Sequence, residues 1–179
     1  MKKYIISPIT IFIIALMLTS CSNKIFFTNE MRVKLDEYDL EINKVQFYTS
    51  KKIVFRRVLP YDSAKIARGE IRFENGKLIE SIIIKKNTPG TCEFVNDGIL
   101  NMTFEQGDDK YLKFKPNKSG NYYELFVKQD LLNYGEIVYD SIKYIIQPGS
   151  ERARLLVKKN EDYLLRVQQR IIKGRKVNN

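Results

Sequence analysis

Asn75-Gly76 stands between two runs rich in β-branched and aromatic residues, 65–74 and 77–85. Both central positions of a tight type I′ turn need positive φ, which Asn and Gly adopt at little cost, so the two runs are predicted to fold back on each other as a hairpin. The pattern recurs. Residues 91–95 and 99–105 flank Asn96-Asp97-Gly98, and residues 134–139 and 142–147 flank Asp140-Ser141. A chain punctuated in this way is committed to antiparallel pairing of short strands. No strand-helix-strand alternation appears along it, which excludes a doubly wound parallel sheet.

The remaining segments fit that frame. Thr28 or Asn29 can cap a helix with Glu30 in its first turn, and Met31, Leu35 and Tyr38 then share one face. A second short helix over 39–46 would turn Leu40, Ile42 and Val45 inward. Residues 53–59 read as a strand that Pro60 stops. Ile71 and Phe73 alternate with Glu70, Arg72 and Glu74, giving one wet face, whereas Ile82-Ile83-Ile84 is apolar on both faces, as in a buried central strand. Turns are expected at 87–90, 106–109, 116–120 and 148–150, all rich in Gly, Pro, Asn or Asp. Tyr111, Leu112 and Phe114 cannot all point one way, so 111–115 is placed near a rim. Residues 121–127 return as a strand. In 152–158, Ala153, Leu155 and Val157 fall on one side. The segment 161–179 suits a helix face through Tyr163, Leu164, Val167 and Ile171, or a strand; a strand over 171–177 is favoured. The expected fold is mainly β: a single antiparallel β-sandwich or small barrel-like domain over 29–179, with one or two short N-terminal helices. Its length supports one core.

Ahead of that domain, Lys2 and Lys3 precede an apolar stretch from Ile5 to Leu18, followed by Thr19, Ser20 and Cys21. A basic start, a short apolar run and small residues at a cleavage point mark a secretory signal peptide, here residues 1–20, and the run is shorter than a spanning helix needs. Leu18-Thr19-Ser20-Cys21 resembles the lipobox of bacterial lipoproteins. That resemblance implies cleavage before Cys21, diacylation of its thiol and acylation of the new amino terminus, with 21–28 as a lipidated tether. More than one acyl chain gives stable anchoring. The residues after Cys21 are Ser22, Asn23 and Lys24. The absence of Asp there disfavours inner-membrane retention, by likeness to enterobacterial sorting, so a periplasm-facing position on the outer membrane is expected.

Composition limits the chemistry. The chain has 31 Lys and Arg against 21 Asp and Glu, a net charge of +10, and loss of Lys2 and Lys3 leaves about +8. An exported basic protein meets anionic lipid, lipopolysaccharide or anionic glycan rather than nucleic acid. Histidine is absent, which removes Ser–His–Asp and Cys–His catalysis and His-based zinc sites. No phosphate-binding Gly-rich loop occurs. Cys92, the other cysteine, reads as a small buried hydrophobe. Asp108 and Asp109 sit side by side on a turn and lack the alternating spacing of a calcium loop. A carboxylate pair for glycoside hydrolysis could be drawn from Glu70, Glu80, Glu93 and Glu105, but nothing nominates one. No catalytic residue, metal or cofactor is assigned, and a non-catalytic role is expected. Two features suit binding. Phe47, Tyr48, Tyr111, Phe114, Tyr122, Tyr123, Tyr134, Tyr139 and Tyr144 could stack on glycans or partners, although core packing is the plainer use of many of them. Arg166, Arg170, Lys173, Arg175 and Lys176 could contact an anionic surface, or simply be solvated.

The segments KVQFYTSKKIVFRR (44–57), IRFENGKLIESIIIKKNTPG (71–90) and IIQPGSERARLLVKK (145–159) resemble small lipoproteins of Bacteroidota without an assigned activity. The resemblance implies a bacterial envelope protein and carries over no functional residue. A lipid-anchored binding or structural module is the leading expectation; an accessory subunit of a secretion or uptake complex, or a hydrolase working without histidine, are the alternatives.

Overall fold

A computed structural model of the chain describes residues 23–60, 70–129 and 135–159. They form two antiparallel sheets stacked as a sandwich. The first sheet runs β1 (Lys24–Phe26), β13 (Leu155–Lys158), β2 (Phe47–Thr49), β6 (Pro89–Asn96), β7 (Ile99–Thr103), β8 (Tyr111–Pro116) and β9 (Tyr123–Leu125). The second runs β10 (Lys128–Gln129), β11 (Gly135–Tyr139), β12 (Ile142–Ile146), β3 (Ile53–Leu59), β5 (Lys77–Ile84) and β4 (Glu70–Glu74). The sandwich alternative therefore holds, and among the described residues no closed barrel forms. The first sheet nevertheless curls, because Leu125 N–H donates to Ala153 O at 3.0 Å and Tyr123 N–H to Phe27 O at 3.3 Å, tying β9 back to the other end.

The three tight turns are where the residue types placed them. Asn75 and Gly76 take φ of 48° and 73°, Asp97 and Gly98 49° and 73°, Asp140 and Ser141 53° and 60°. Each pair sets the register of its hairpin: Glu74 opposes Lys77, Asn96 opposes Ile99 and Tyr139 opposes Ile142.

The chain crosses between the sheets at a corner built from small hydroxylated residues. Thr49, on leaving β2, donates its hydroxyl to Lys85 O at 2.8 Å, and its carbonyl accepts from Asn87 N–H at 2.9 Å. Ser50 exchanges bonds with Arg154, and the Ser150 hydroxyl accepts from Val54 N–H at 3.0 Å. These bonds explain how Thr49 and Ser150 are buried without cost to the core.

Between the sheets lies one apolar cluster with two aromatic trios. Phe27 packs edge-on against Phe47 at 5.0 Å and tilted against Tyr123 at 5.5 Å; Phe55 does the same with Tyr144 at 5.2 Å and Tyr139 at 5.1 Å. Leu100, Met102, Leu112, Phe114 and Leu155 fill the space around them. Each such side chain contributes about 1.5–3 kcal/mol by leaving water. Ala153, Leu155 and Val157 all face this core, as their alternation predicts.

Four expectations need correction. The helix α1 (Asn29–Glu37) is capped by the Thr28 hydroxyl, which accepts from Met31 N–H, and buries Leu35; but Tyr38 is the exposed C-terminal cap rather than part of the inner face. The second helix is replaced by a single 3₁₀ turn at Ile42–Lys44. Asp39 swings to φ 52°, Leu40 N–H closes onto Leu35 O, and the chain reverses with Leu40 outward and Val45 buried. Ile82–Ile84 does lie on a central strand, yet it is covered on one face: Ile84 is buried while Ile83 points outward and is exposed. The strand expected over 121–127 stops at Leu125, because after Phe126 the chain changes sheets to form β10. The helix-or-strand question over 161–179 falls outside the described residues.

Candidate functional site

Cys21 and the basic residues Arg166, Arg170, Lys173, Arg175 and Lys176 lie outside the described residues, as does Tyr134. The fold does locate the chain on either side of them. β1 and β13 pair with Lys24 opposite Lys158, and Lys159 N–H donates to Asn23 O at 2.9 Å. The stretch that follows Cys21 and the stretch that leads to the basic cluster therefore lie side by side at one corner of the sandwich.

Strand alternation decides what that corner presents. With Leu155 and Val157 turned into the core, Arg154, Leu156 and Lys158 face out; Lys24 and Phe26 do the same on β1, and Tyr48 on β2. The Lys24 ammonium sits 3.8 Å from the Tyr48 ring centre and donates to Asn87 Oδ1 at 3.2 Å, and Lys158 approaches the same ring at 5.7 Å. Arg154 stacks at 3.7 Å from the Tyr122 ring and 5.3 Å from Phe26. Each pairing is worth about 0.5–1 kcal/mol at an exposed site and fixes a cation over a flat apolar plate. Of the aromatics singled out above, Phe47, Phe114, Tyr123, Tyr139 and Tyr144 are core. Tyr111 packs on Phe94, leaving Tyr48 and Tyr122 on this face. Lys24, Phe26, Arg154 and Lys158 were not singled out from the sequence; the in-out alternation of 153–158 was the available signal.

A groove of about 800 Å³ opens beside this face, between β9 and β12. Leu125, Val127 and Ile146 line it, and Lys115, Arg154 and Glu124 stand among its polar groups.

Glu80 and Glu105 are engaged in structure. Glu80 on β5 is fully buried; Arg57 Nε of β3 donates to it, and Tyr144 OH lies within 3.4 Å. The Arg57 guanidinium also covers the Tyr144 ring at 5.4 Å. Glu105 accepts from Tyr139 OH at 2.8 Å and pairs with Lys110 at 3.2 Å. Burial, then the Glu105 carboxylate, pushes the Tyr139 hydroxyl far above its ordinary range. A smaller cavity of about 260 Å³ is lined by Glu105 and Tyr139 but not by Glu80. Glu93 is exposed on β6, and Glu70 opposes Ser81 on β4. Asp109 accepts from Ser141 Oγ at 2.9 Å and its carbonyl accepts Asp140 N–H, so it latches two turns together.

Cys92 opposes Met102 in the β6–β7 ladder and is buried. Burial pushes its thiol up to about 11. At pH 8 only about one thiol in a thousand is then ionised. Alkylation by iodoacetamide is expected to run about a hundredfold slower in the folded protein than in urea; equal rates would contradict the buried placement.

Among the described residues no helix is long and apolar enough to cross a membrane. No family model, curated protein or solved structure matches the chain.

Proposed function

We propose that this chain is a lipid-anchored cell-envelope protein, a β-sandwich held against a membrane by acyl chains on Cys21 and acting as a non-catalytic binding or structural module. The observation that carries the reading is the closeness of Cys21 to folded structure: β1 begins at Lys24, and the Asn23 carbonyl is already bonded to Lys159. At no more than about 3.6 Å per residue, Cys21 can stand only about 7 Å from Asn23. Acyl chains there would hold the β1–β13 corner at the lipid surface, with no spacer to let the domain roam. The lack of an Asp after Cys21 favours the outer membrane, with the domain in the periplasm.

A second reading is favoured by β4. It is the outermost strand of its sheet, and Phe73 and Ile71 on it are 68% and 38% exposed. An accessory subunit would use such a strand against a protein partner.

The anchor is tested by Cys21→Ser. The variant is expected to leave the membrane fraction and to take up no labelled palmitate. Palmitate incorporation into the variant, or its unchanged retention in membranes after a high-salt wash, would overturn the lipid site.

A further inference from the structure

We infer that the outer face of β1, β13 and the end of β2 is a docking surface for anionic phospholipid, so that the domain lies on the bilayer in one fixed orientation. The inference rests on the anchored reading above and adds a second, electrostatic contact to it.

Five segments meet on this face: 23–26, 46–50, 85–88, 154–159 and, through Tyr122, 122–124. The first four contain no Asp or Glu, although the chain as a whole has 21, and Glu124, across from Arg154, is the acid of the fifth. These segments bring together Lys24, Arg154 and Lys158 over the rings, with exposed Lys86 on the neighbouring turn. The turn carrying Lys85 and Lys86 is bonded to Thr49, next to Tyr48, through Thr49 N–H to Thr88 O at 3.2 Å and Asn87 N–H to Thr49 O at 2.9 Å. Elsewhere on the surface, cations are interleaved with acids, as in Lys34 with Glu30, Lys44 with Glu41 and Lys143 with Glu136. Here Lys24, Arg154 and Lys158 stand over aromatic rings. Tyr48 and Tyr122 supply amphipathic rings that settle at headgroup depth, Phe26 adds an apolar one, and the cations beside them supply charge for phosphate. Aliphatic Leu156, half-buried between Phe26 and Tyr48 in the ladder, completes the apolar floor.

The geometry also explains why anchor and charge belong together. The several acyl chains expected on Cys21 hold the protein at the bilayer by themselves, so the patch would add orientation rather than retention. The patch abuts the point where the chain runs back to Cys21. A free polyanionic glycan could use the same rings and cations, but this face is continuous with the strand that runs back to Cys21, so the membrane is the anionic surface the anchor brings against it.

The chain has no Trp, so a single introduced indole is a clean reporter. The mature lipoprotein carrying Tyr48→Trp is reconstituted into vesicles of phosphatidylcholine, with or without phosphatidylglycerol, containing lipids brominated near the headgroup. A parallel sample carries Phe73→Trp, on the outermost strand of the other sheet. Residue 48 is expected to be quenched in phosphatidylglycerol vesicles and released by high salt, and residue 73 to stay unquenched. Near an anionic surface each cation is worth about a fivefold change in binding. Lys24→Gln, Lys86→Gln and Lys158→Gln together should weaken the phosphatidylglycerol-dependent contact about a hundredfold. Quenching at 73 rather than 48, equal quenching with and without phosphatidylglycerol, or indifference to the triple substitution would each overturn the docking face. Mass spectrometry of the same sample reads acylation separately. If Cys21 proves unmodified, the vesicles are added from outside, and the residue 48 signal still decides the face on its own.

Discussion

Arg57→Met is expected to destabilise the domain by about 3–5 kcal/mol, the usual result of removing one partner from a buried ion pair. Glu80 has no solvent exposure and Arg57 is 22% exposed at its side chain, and the guanidinium stands directly across the β3–β5 ladder from the carboxylate. The Tyr144 hydroxyl, 3.4 Å away, remains after the substitution, but a neutral donor at that distance does not balance a buried charge. Methionine keeps most of the packing over the Tyr144 ring and Phe55 nearby, so the loss reports charge rather than volume. At this size a loss of that kind lowers the melting midpoint by about 10 °C. The double variant Arg57→Met/Glu80→Leu provides the control: with both charges gone, the desolvation cost goes too, and most of the stability should return. Urea unfolding of the four proteins of the cycle measures this. A single-variant loss under about 1 kcal/mol, or a double variant no better than the single, would mean that the pair is not sealed from water.

That pair also shows where reading a sequence stops. The hairpins at Asn75-Gly76 and Asn96-Asp97-Gly98 are legible because a positive φ is a demand on single residues, met or not met locally. The inward set Ala153, Leu155 and Val157 is legible because alternation is visible within six residues. Glu80 carried no such mark. In KLIESIII it reads as one more polar position, and its burial follows from a partner 23 residues away whose register only the assembled sheet defines. The cation–aromatic face is hidden for the same reason on a larger scale. Tyr48 and Tyr122 could be picked out by type, but the cations over them come from β1 and from 154–158, which lie at opposite ends of the described chain. The second helix failed locally: the left-handed turn at Asp39 is compatible with the sequence but was outweighed, on paper, by the spacing of Leu40, Ile42 and Val45. What decides it is that one inward turn of chain, ending in buried Val45, suffices to reach β2.

Phe27→Ala tests whether the core and the anchor corner are one mechanical unit. The residue is fully buried, and truncating a Phe at such a site costs about 3–5 kcal/mol from lost transfer energy and the cavity left behind. Its ring meets Phe47 edge-on and Tyr123 at a tilt, contacts that add about 0.5–1.5 kcal/mol beyond area alone. The backbone of Phe27 is equally committed: its N–H donates to Leu155 O at 3.0 Å and its carbonyl accepts from Tyr123 N–H, so it bonds toward both ends of the curled sheet. β1 is a three-residue edge strand with a single neighbour, β13. Without the Phe27 anchor, the ladder from Lys24 to Phe26 has little to hold it. Two consequences should appear together in the substituted protein: a large loss of global stability, and hydrogen exchange at Ile25 that rises further than exchange at Leu100 deep in the first sheet. Phe26, its outward neighbour at 41% exposure, gives the contrast. Phe26→Ala should cost under about 1 kcal/mol and leave Ile25 protected, since it removes a surface contact with Arg154 and no core volume. If Phe26→Ala proves the costlier of the two, or if Ile25 and Leu100 lose protection equally in Phe27→Ala, then β1 is not pinned by its core residue, and the cations on its outer side are not held in register with Tyr48.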